Sequence, residues 1–269
     1  GSVSDETAGG ISVQGSQDGF AWSLNYHKRD AEDHDIPGFA KSEFQRASEE
    51  KEHHDEEDHE GEKKHEEDEH GHGEEEAFGI LKNSFNESET FALGAGWFGE
   101  SASYSLSFSQ FDSFYGVPGH THVEEHEEEE HEEEGSVAID IKNQRTALRI
   151  EWVDIGGFFE SVELDAGYAD YGHTEFEGEE GTRQVSTVFE RDGLDLRLSG
   201  IHQPIGNWSG AIGVNFKDGS FKAIGEEAFI PSNDKSNYAL FAVQRLETLW
   251  GAMEFGGRLE NQSLDPNDP

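Results

Sequence analysis

The chain has 269 residues, 60 acidic against 19 basic, and no cysteine, for a formal net charge of −41. That balance excludes a nucleic-acid partner, which needs clustered Lys and Arg, and excludes attraction to an anionic membrane surface. Without thiols there are no disulfides, thiolate zinc sites or cysteine nucleophiles.

A hydrophobic content of 32% is low, yet the chain carries 19 Phe, 5 Trp and 6 Tyr. The two numbers describe different stretches. Residues 49–76 hold 16 Asp/Glu, 3 Lys and 6 His, and residues 124–134 are nine Glu with His126 and His131. These two tracts account for −22 of the −41, leaving an aromatic, Gly-rich body with two low-complexity insertions. There is no run of 18 apolar residues, so no transmembrane helix is expected.

In chain order, the body reads as strands. Phe20, Trp22, Leu24 and Tyr26 alternate with small and polar residues. Ala102, Tyr104, Leu106 and Phe108 alternate with serines, and Val162, Leu164, Ala166 and Tyr168 with Glu163, Asp165 and Gly167. Leu194, Leu196 and Leu198 follow the same rule, as do Ile212, Val214 and Phe216, then Met253, Phe255 and Leu259. A period of two is strand geometry with one apolar face. The pattern predicts ten strands, near 8–16, 20–29, 87–98, 101–112, 136–154, 158–172, 182–203, 207–218, 237–246 and 249–263. In the fifth, the apolar phase slips between Val137-Ile139-Ile141 and Leu148-Ile150-Trp152, as a bulge or a strand rising beyond the membrane would produce.

Short and long connections take turns. Tight turns fall near Gln17-Asp-Gly19, Gly99-Glu-Ser101, Ile155-Gly-Gly157, Pro204-Ile-Gly-Asn207 and Glu247-Thr248. Long ones cover 30–85, 113–134, 173–181 and 219–235. In an up-and-down meander, alternate connections share an end, so every long loop falls on one side. A soluble β-sandwich also shows alternation but rarely puts all its long loops at one end. The asymmetry predicts an all-β, antiparallel up-and-down transmembrane β-barrel in the outer membrane of a Gram-negative bacterium, with the long loops extracellular. Trp22, Tyr26, Trp97, Phe98, Phe158, Phe159, Tyr168, Tyr171, Trp208 and Trp250, near segment ends, suit interfacial girdles.

Of 14 His, six lie in the first long loop (His53, His54, His59, His65, His70 and His72) and four in the second (His120, His122, His126 and His131). His34 stands at the base of the first loop and His173 falls in the third. Imidazole and carboxylate suit zinc and neighbouring divalent ions where thiolate is missing. In an extended backbone, His70-x-His72 and His120-x-His122 each put two rings on one side. The eleven histidines from His34 to His131 just named are the candidate metal ligands. A solvated acidic tract would explain the glutamates but does not require His enrichment. His27 and His202 read as pore-lining or surface residues.

Three short stretches add a resemblance: Asp35-Ile-Pro-Gly-Phe-Ala40, Tyr115-Gly-Val-Pro-Gly-His120 and Gly225-Glu-Glu-Ala-Phe-Ile-Pro231. In order and loop position the chain resembles the TonB-dependent outer-membrane receptors, in particular the zinc-uptake branch with His-rich loops. The resemblance implies a 22-stranded barrel filled by an N-terminal plug domain that couples to the TonB complex. No plug precedes the first predicted strand, so residues 1–269 are expected to be an internal fragment of the barrel, with 30–85 and 113–134 as its low-complexity extracellular loops. It implies outer-membrane lipid, the TonB complex and a divalent metal as partners, and no prosthetic cofactor, Zn²⁺ being cargo. Alternatives of the same fold are a siderophore or haem receptor and a surface metal-sequestering protein anchored by its barrel. There is no Gly-x-Ser-x-Gly, P-loop, dinucleotide fingerprint or His-Glu-x-x-His, so no enzyme is expected.

Overall fold

A computed structural model describes residues 3–46, 77–122, 135–178, 181–225 and 228–266, the side chains of 120–122 and 135 aside. Twelve strands appear in chain order: β1 (Thr7–Gln17), β2 (Phe20–Ala31), β3 (His34–Phe39), β4 (Phe78–Leu81), β5 (Asn86–Phe98), β6 (Ala102–His122), β7 (Gly135–Val153), β8 (Phe159–Glu177), β9 (Gln184–Ile205), β10 (Trp208–Gly225), β11 (Asn233–Thr248) and β12 (Gly251–Pro266). Ten of them form one sheet in the order β1-β2-β5-β6-β7-β8-β9-β10-β11-β12. β3 and β4 make a separate antiparallel pair inside the first long connection.

Every neighbouring pair in the large sheet is antiparallel, so the five short turns lie at one end and the four long connections at the other. Local chemistry sets the turns. Asp18 (φ 48°) and Gly19 (φ 82°) both take left-handed backbone, the requirement of a two-residue hairpin whose twist matches its strands.

The register sorts side chains into two faces. One lateral row reads Phe20, Trp97, Tyr104, Ile150, Leu164, Leu198, Val214, Leu240 and Leu259, apolar across nine strands. A row on the opposite face reads Ser23, Gly94, Ser107, Ala147, Gly167, Asp195, Lys217, Asn237 and Gln262, small or polar throughout.

The apolar face has nothing packed on it. Leu240 is 58% exposed and Leu259 75%, and the buried hydrophobic residues among those described are only Ala31, Ala138 and Ala239. A water-soluble sandwich would bury that face in a second layer. Here it must meet a medium as apolar as itself.

A higher row on the same face fixes the geometry of that medium. It begins apolar at Tyr26 and Phe91, then turns polar through Gln110, Gln144, Asp170, Asp192, Ser220, Asp234 and Asp265. Lateral rows therefore cross the apolar band obliquely. Strands tilted against a flat hydrocarbon slab produce this displacement, because hydrogen-bonded rows run perpendicular to the strands and not parallel to the slab. Aromatics mark both edges. Trp97, Tyr104 and Trp152 make ring contacts near the short turns (centroids 6.0 and 6.4 Å), and Trp208 meets Phe255 at 6.0 Å. On the other edge, Phe91 meets Phe108 at 6.5 Å and Phe216 meets Tyr238 at 4.9 Å. The architecture is the antiparallel up-and-down wall of a transmembrane β-barrel.

Several expectations shift. The second long loop is shorter than 113–134, because β6 continues to His122 and β7 resumes at Gly135. His120 and His122 thus belong to strand backbone, with His122 paired to Gly135. His173 lies within β8 and not in a loop. The first loop, expected over 30–85, begins after Ala31 and carries β3 and β4. By register, Phe98 and Tyr171 point to the polar face and belong to no girdle, whereas His202 sits on the apolar face near a short turn. The phase slip in β7 is no bulge, since its pairing to β8 runs unbroken from Ala138 to Val153. The strand rises above the apolar band, where the hydrocarbon no longer dictates which face is apolar.

Leu198→Arg, placed in the fully apolar row, should cost about 2–4 kcal/mol of stability in lipid vesicles, while Ser107→Thr on the polar face should cost little. Denaturant titration of the vesicle-embedded full-length protein measures both.

Candidate metal-capture site

The two connections whose sequences hold the acidic histidine tracts leave the sheet at the same end, from β2 and β5 and from β6 and β7. His53, His54, His59, His65, His70, His72, His126 and His131 lie outside the described residues. Of the other expected ligands, His120 and His122 belong to the top of β6, His122 paired with Gly135 and His120 in the irregular stretch before it, and His34 opens β3. Among the described residues, no group of three or more His, Cys, Asp or Glu is gathered closely enough to hold a metal ion.

His34 has a defined setting. Its backbone N–H donates to Ser84 Oγ at 2.8 Å, and its Nδ1 lies 3.2 Å from the same oxygen. The Ser84 hydroxyl spends its single hydrogen on Leu81 O at 2.6 Å, so it accepts from His34. Nδ1 then carries the proton and Nε2 keeps a lone pair. This is how a second partner orients a metal-ligating imidazole. One imidazole does not make a site.

The roots of the long connections are tied to one another. Asp33 accepts from the backbone N–H groups of Asn83 (3.0 Å) and Ser84 (2.7 Å). Asn83, in left-handed backbone (φ 60°), donates through Nδ2 to Val117 O at 3.0 Å and Val137 O at 2.6 Å. Those carbonyls belong to β6 and β7, where the pairing is irregular between Val117 and Thr121. The Asn83 amide therefore occupies backbone acceptors that the ladder leaves over. Arg183, from the third connection, donates to Asn83 Oδ1 at 2.9 Å and to Ser136 Oγ at 3.0 Å, and its guanidinium lies 5.5 Å from the Phe85 ring centre. Ser136 also donates to Gly178 O, through N–H at 3.1 Å and Oγ at 3.0 Å. Phe85, Phe114 and Phe176 pack beside this polar knot, with centroids 5.2 and 6.3 Å apart. One asparagine thus gathers the bases of three of the four long connections. Nothing in the local sequence marked Asn83 or Arg183, which stand 100 residues apart.

On the polar face, β7–β12 carry a belt of paired charges. Arg149 is bonded to Glu163 and lies 3.8 Å from Asp165. Lys217 pairs with Asp195 at 2.7 Å, Arg258 with Glu260 at 2.7 Å and Arg245 with Glu254 at 3.4 Å. The same face of β2, β5 and β6 is lined by Ala21, Ser23, Ala92, Gly94, Gly96, Ser105 and Ser107. Such a face is wettable, with most of its paired charges on β7–β12 and the Arg29–Glu6 pair (3.0 Å) near the long-connection end of β2.

No protein-family profile matches the chain. Solved structures do. The copper transporter OprC superposes with a TM-score of 0.60 at 11% identity, covering 98% of this chain and 37% of its own. The FrpB iron transporter from Neisseria meningitidis (F3-3 variant) gives 0.62 at 11% identity, covering 97% and 40%. The fold is theirs. The chain spans about two fifths of the length of each, so it corresponds to part of such a wall. At this identity the likeness is one of backbone architecture.

Asn83→Ala should destabilise the connection roots by about 1–3 kcal/mol, since it strands two carbonyls and removes one of the Arg183 acceptors. Hydrogen exchange at the amides around Phe85, Val117 and Ser136 should rise together. Exchange confined to one connection would show that the three are not tied.

Proposed function

We propose that this chain is part of the barrel wall of a TonB-dependent outer-membrane receptor that captures a divalent metal, zinc first among the candidates, and passes it inward. One observation carries the reading: above a one-sided apolar band, the same end of the sheet bears the connections rich in His and Glu. The fold likeness to a copper and an iron transporter supports metal import within this architecture. Energy for uptake would come from the TonB complex through a plug domain elsewhere in the full-length protein.

The histidine tracts act as a concentrator. Carboxylates raise the local cation concentration, and imidazoles supply the covalent preference for zinc-like ions. By the Irving–Williams order copper binds the same donors more tightly in vitro, so preference in the cell depends on which ion is available.

Full-length protein in detergent should bind Zn²⁺ in the micromolar range at neutral pH. Removing residues 49–76 and 123–134 should weaken binding at least tenfold. Affinity should fall as pH drops through about 6.5, because protons compete for imidazole nitrogens that must be neutral to ligate. Calorimetry reads all three, and absence of micromolar binding rules the reading out. In cells depleted of metal, growth rescue by chelated iron or haem and not by zinc would replace zinc with the siderophore or haem alternative.

A further inference from the structure

On the apolar face of β8–β12, three successive lateral rows enclose a groove of about 620 Å³. Its floor is the row Val162, Gly200, Ile212, Ala242 and Gly257. The row above, Leu198, Val214, Leu240 and Leu259, forms one wall. In the row below, Phe159 lies against Gly200, where a Cβ would stand 2.6 Å from its ring, and closes the β8 end. Ala242 and Gly257 leave the other end unfilled.

The lower row also holds a polar bridge that contact with hydrocarbon does not call for. His202 on β9 reaches Gln244 on β11 across Gly210, its Nε2 2.9 Å from the Gln244 amide, while Nδ1 donates to Gln203 O at 2.8 Å. A Cβ at position 210 would overlap Val243 O and the Gln244 amide, so glycine lets the bridge pass. Phe158 covers His202 with ring centres 5.6 Å apart, and the imidazole is only 4% exposed. Phe158 meets Phe159 at 4.9 Å, and Trp208 meets Phe255 at 6.0 Å. Bridge and rings together mark the level at which hydrocarbon gives way to headgroups on the short-turn side.

The groove climbs from that level. Lateral rows rise away from the short turns as they run towards β12. A chain entering beside Phe159 and His202 therefore rises into the apolar band, past Ile212 and Ala242 to Gly257. An empty groove in hydrocarbon forfeits dispersion contacts, and an ordered chain regains them. The groove is continuous with the lipid-facing band and its floor and upper wall are apolar, so the occupant that fits is an alkyl chain.

We infer that the groove holds one acyl chain of a phospholipid from the leaflet on the short-turn side, with Phe159 and the His202–Gln244 bridge fixing the end at which the chain enters. The site lies on the lipid-facing surface of the wall and is independent of the metal-capture reading.

A phosphatidylethanolamine with a diazirine in one acyl chain is the probe. With the full-length protein in vesicles of this lipid, the photoproduct should concentrate on β10–β12 around Ala242 and Gly257. Gly257→Leu fills the floor, and a Cβ there meets nothing within 4 Å, so the wall should be kept. Displacing even two methylenes of the chain costs about tenfold in affinity, and labelling should fall accordingly. Gly167→Leu, equally open but on the polar face, should leave labelling unchanged. H202L/Q244L, which keeps the bulk and removes the bridge, should spread the label beyond β10–β12, and an unchanged pattern overturns the role of the bridge. Labelling that is uniform along the apolar face, or equal in wild type and Gly257→Leu, overturns the inference. So does lipopolysaccharide that co-purifies with the wild type and is lost from Gly257→Leu, which would place the occupant in the other leaflet. A dimer in detergent that Gly257→Leu dissolves also overturns it, making the groove an interface between copies.

Discussion

A β-ladder delivers successive side chains to opposite faces, and a strand crossing hydrocarbon must also satisfy every backbone N–H and C=O within the protein. Those two constraints together organise this molecule. The continuous antiparallel sheet from β1 to β12, β3 and β4 aside, answers the backbone requirement. Alternation then allows one face to be Phe20, Leu198, Val214 and Leu240 while the other is Ser23, Gly167, Asp195 and Lys217. Because rows run perpendicular to tilted strands, the apolar band descends across the sheet, and strand height above the band differs from one end of the sheet to the other.

Above the band the constraint relaxes, and there the structure becomes particular. β7 exchanges its apolar phase, β6 loses regular pairing between Val117 and Thr121, and Asn83 fills the gap. The knot of Asp33, Asn83, Ser136 and Arg183 gathers the bases of three long connections at the end that bears the histidine tracts. Function at that end would then combine charged tracts with fixed roots, the usual division of labour between loops and scaffold.

The polar face has its own division. Near the short turns neutral small residues line β2, β5 and β6 and matched charges line β7–β12; higher up stand the Arg29–Glu6 pair on β2 and Arg145, Arg191 and Lys235, which have no ion pair among the described residues. Matched pairs hold a fixed local field, whereas unmatched ones seek a partner of opposite sign.

The fold was legible from local pattern. The period of two located all ten strands of the large sheet, Asp18-Gly19 marked a hairpin, and alternating connection lengths put long segments at one end, since these are properties of neighbours in the chain. The histidine tracts were legible as composition. Their arrangement as a metal site was not, because ligand geometry depends on residues far apart in sequence, and most of those named lie outside the described residues. Strand height misplaced His120, His122 and His173, as apolar periodicity ends where the hydrocarbon ends while the ladder continues. Asn83 and Arg183, 100 residues apart, became neighbours only through register, and only register put Arg145 and Lys235 on one row. Sequence by itself determined the two faces and the turns, which are short-range consequences of alternation and backbone torsion. The tertiary structure decided which long side chains share a row or a knot, because register is set by pairing between strands and not within any one of them.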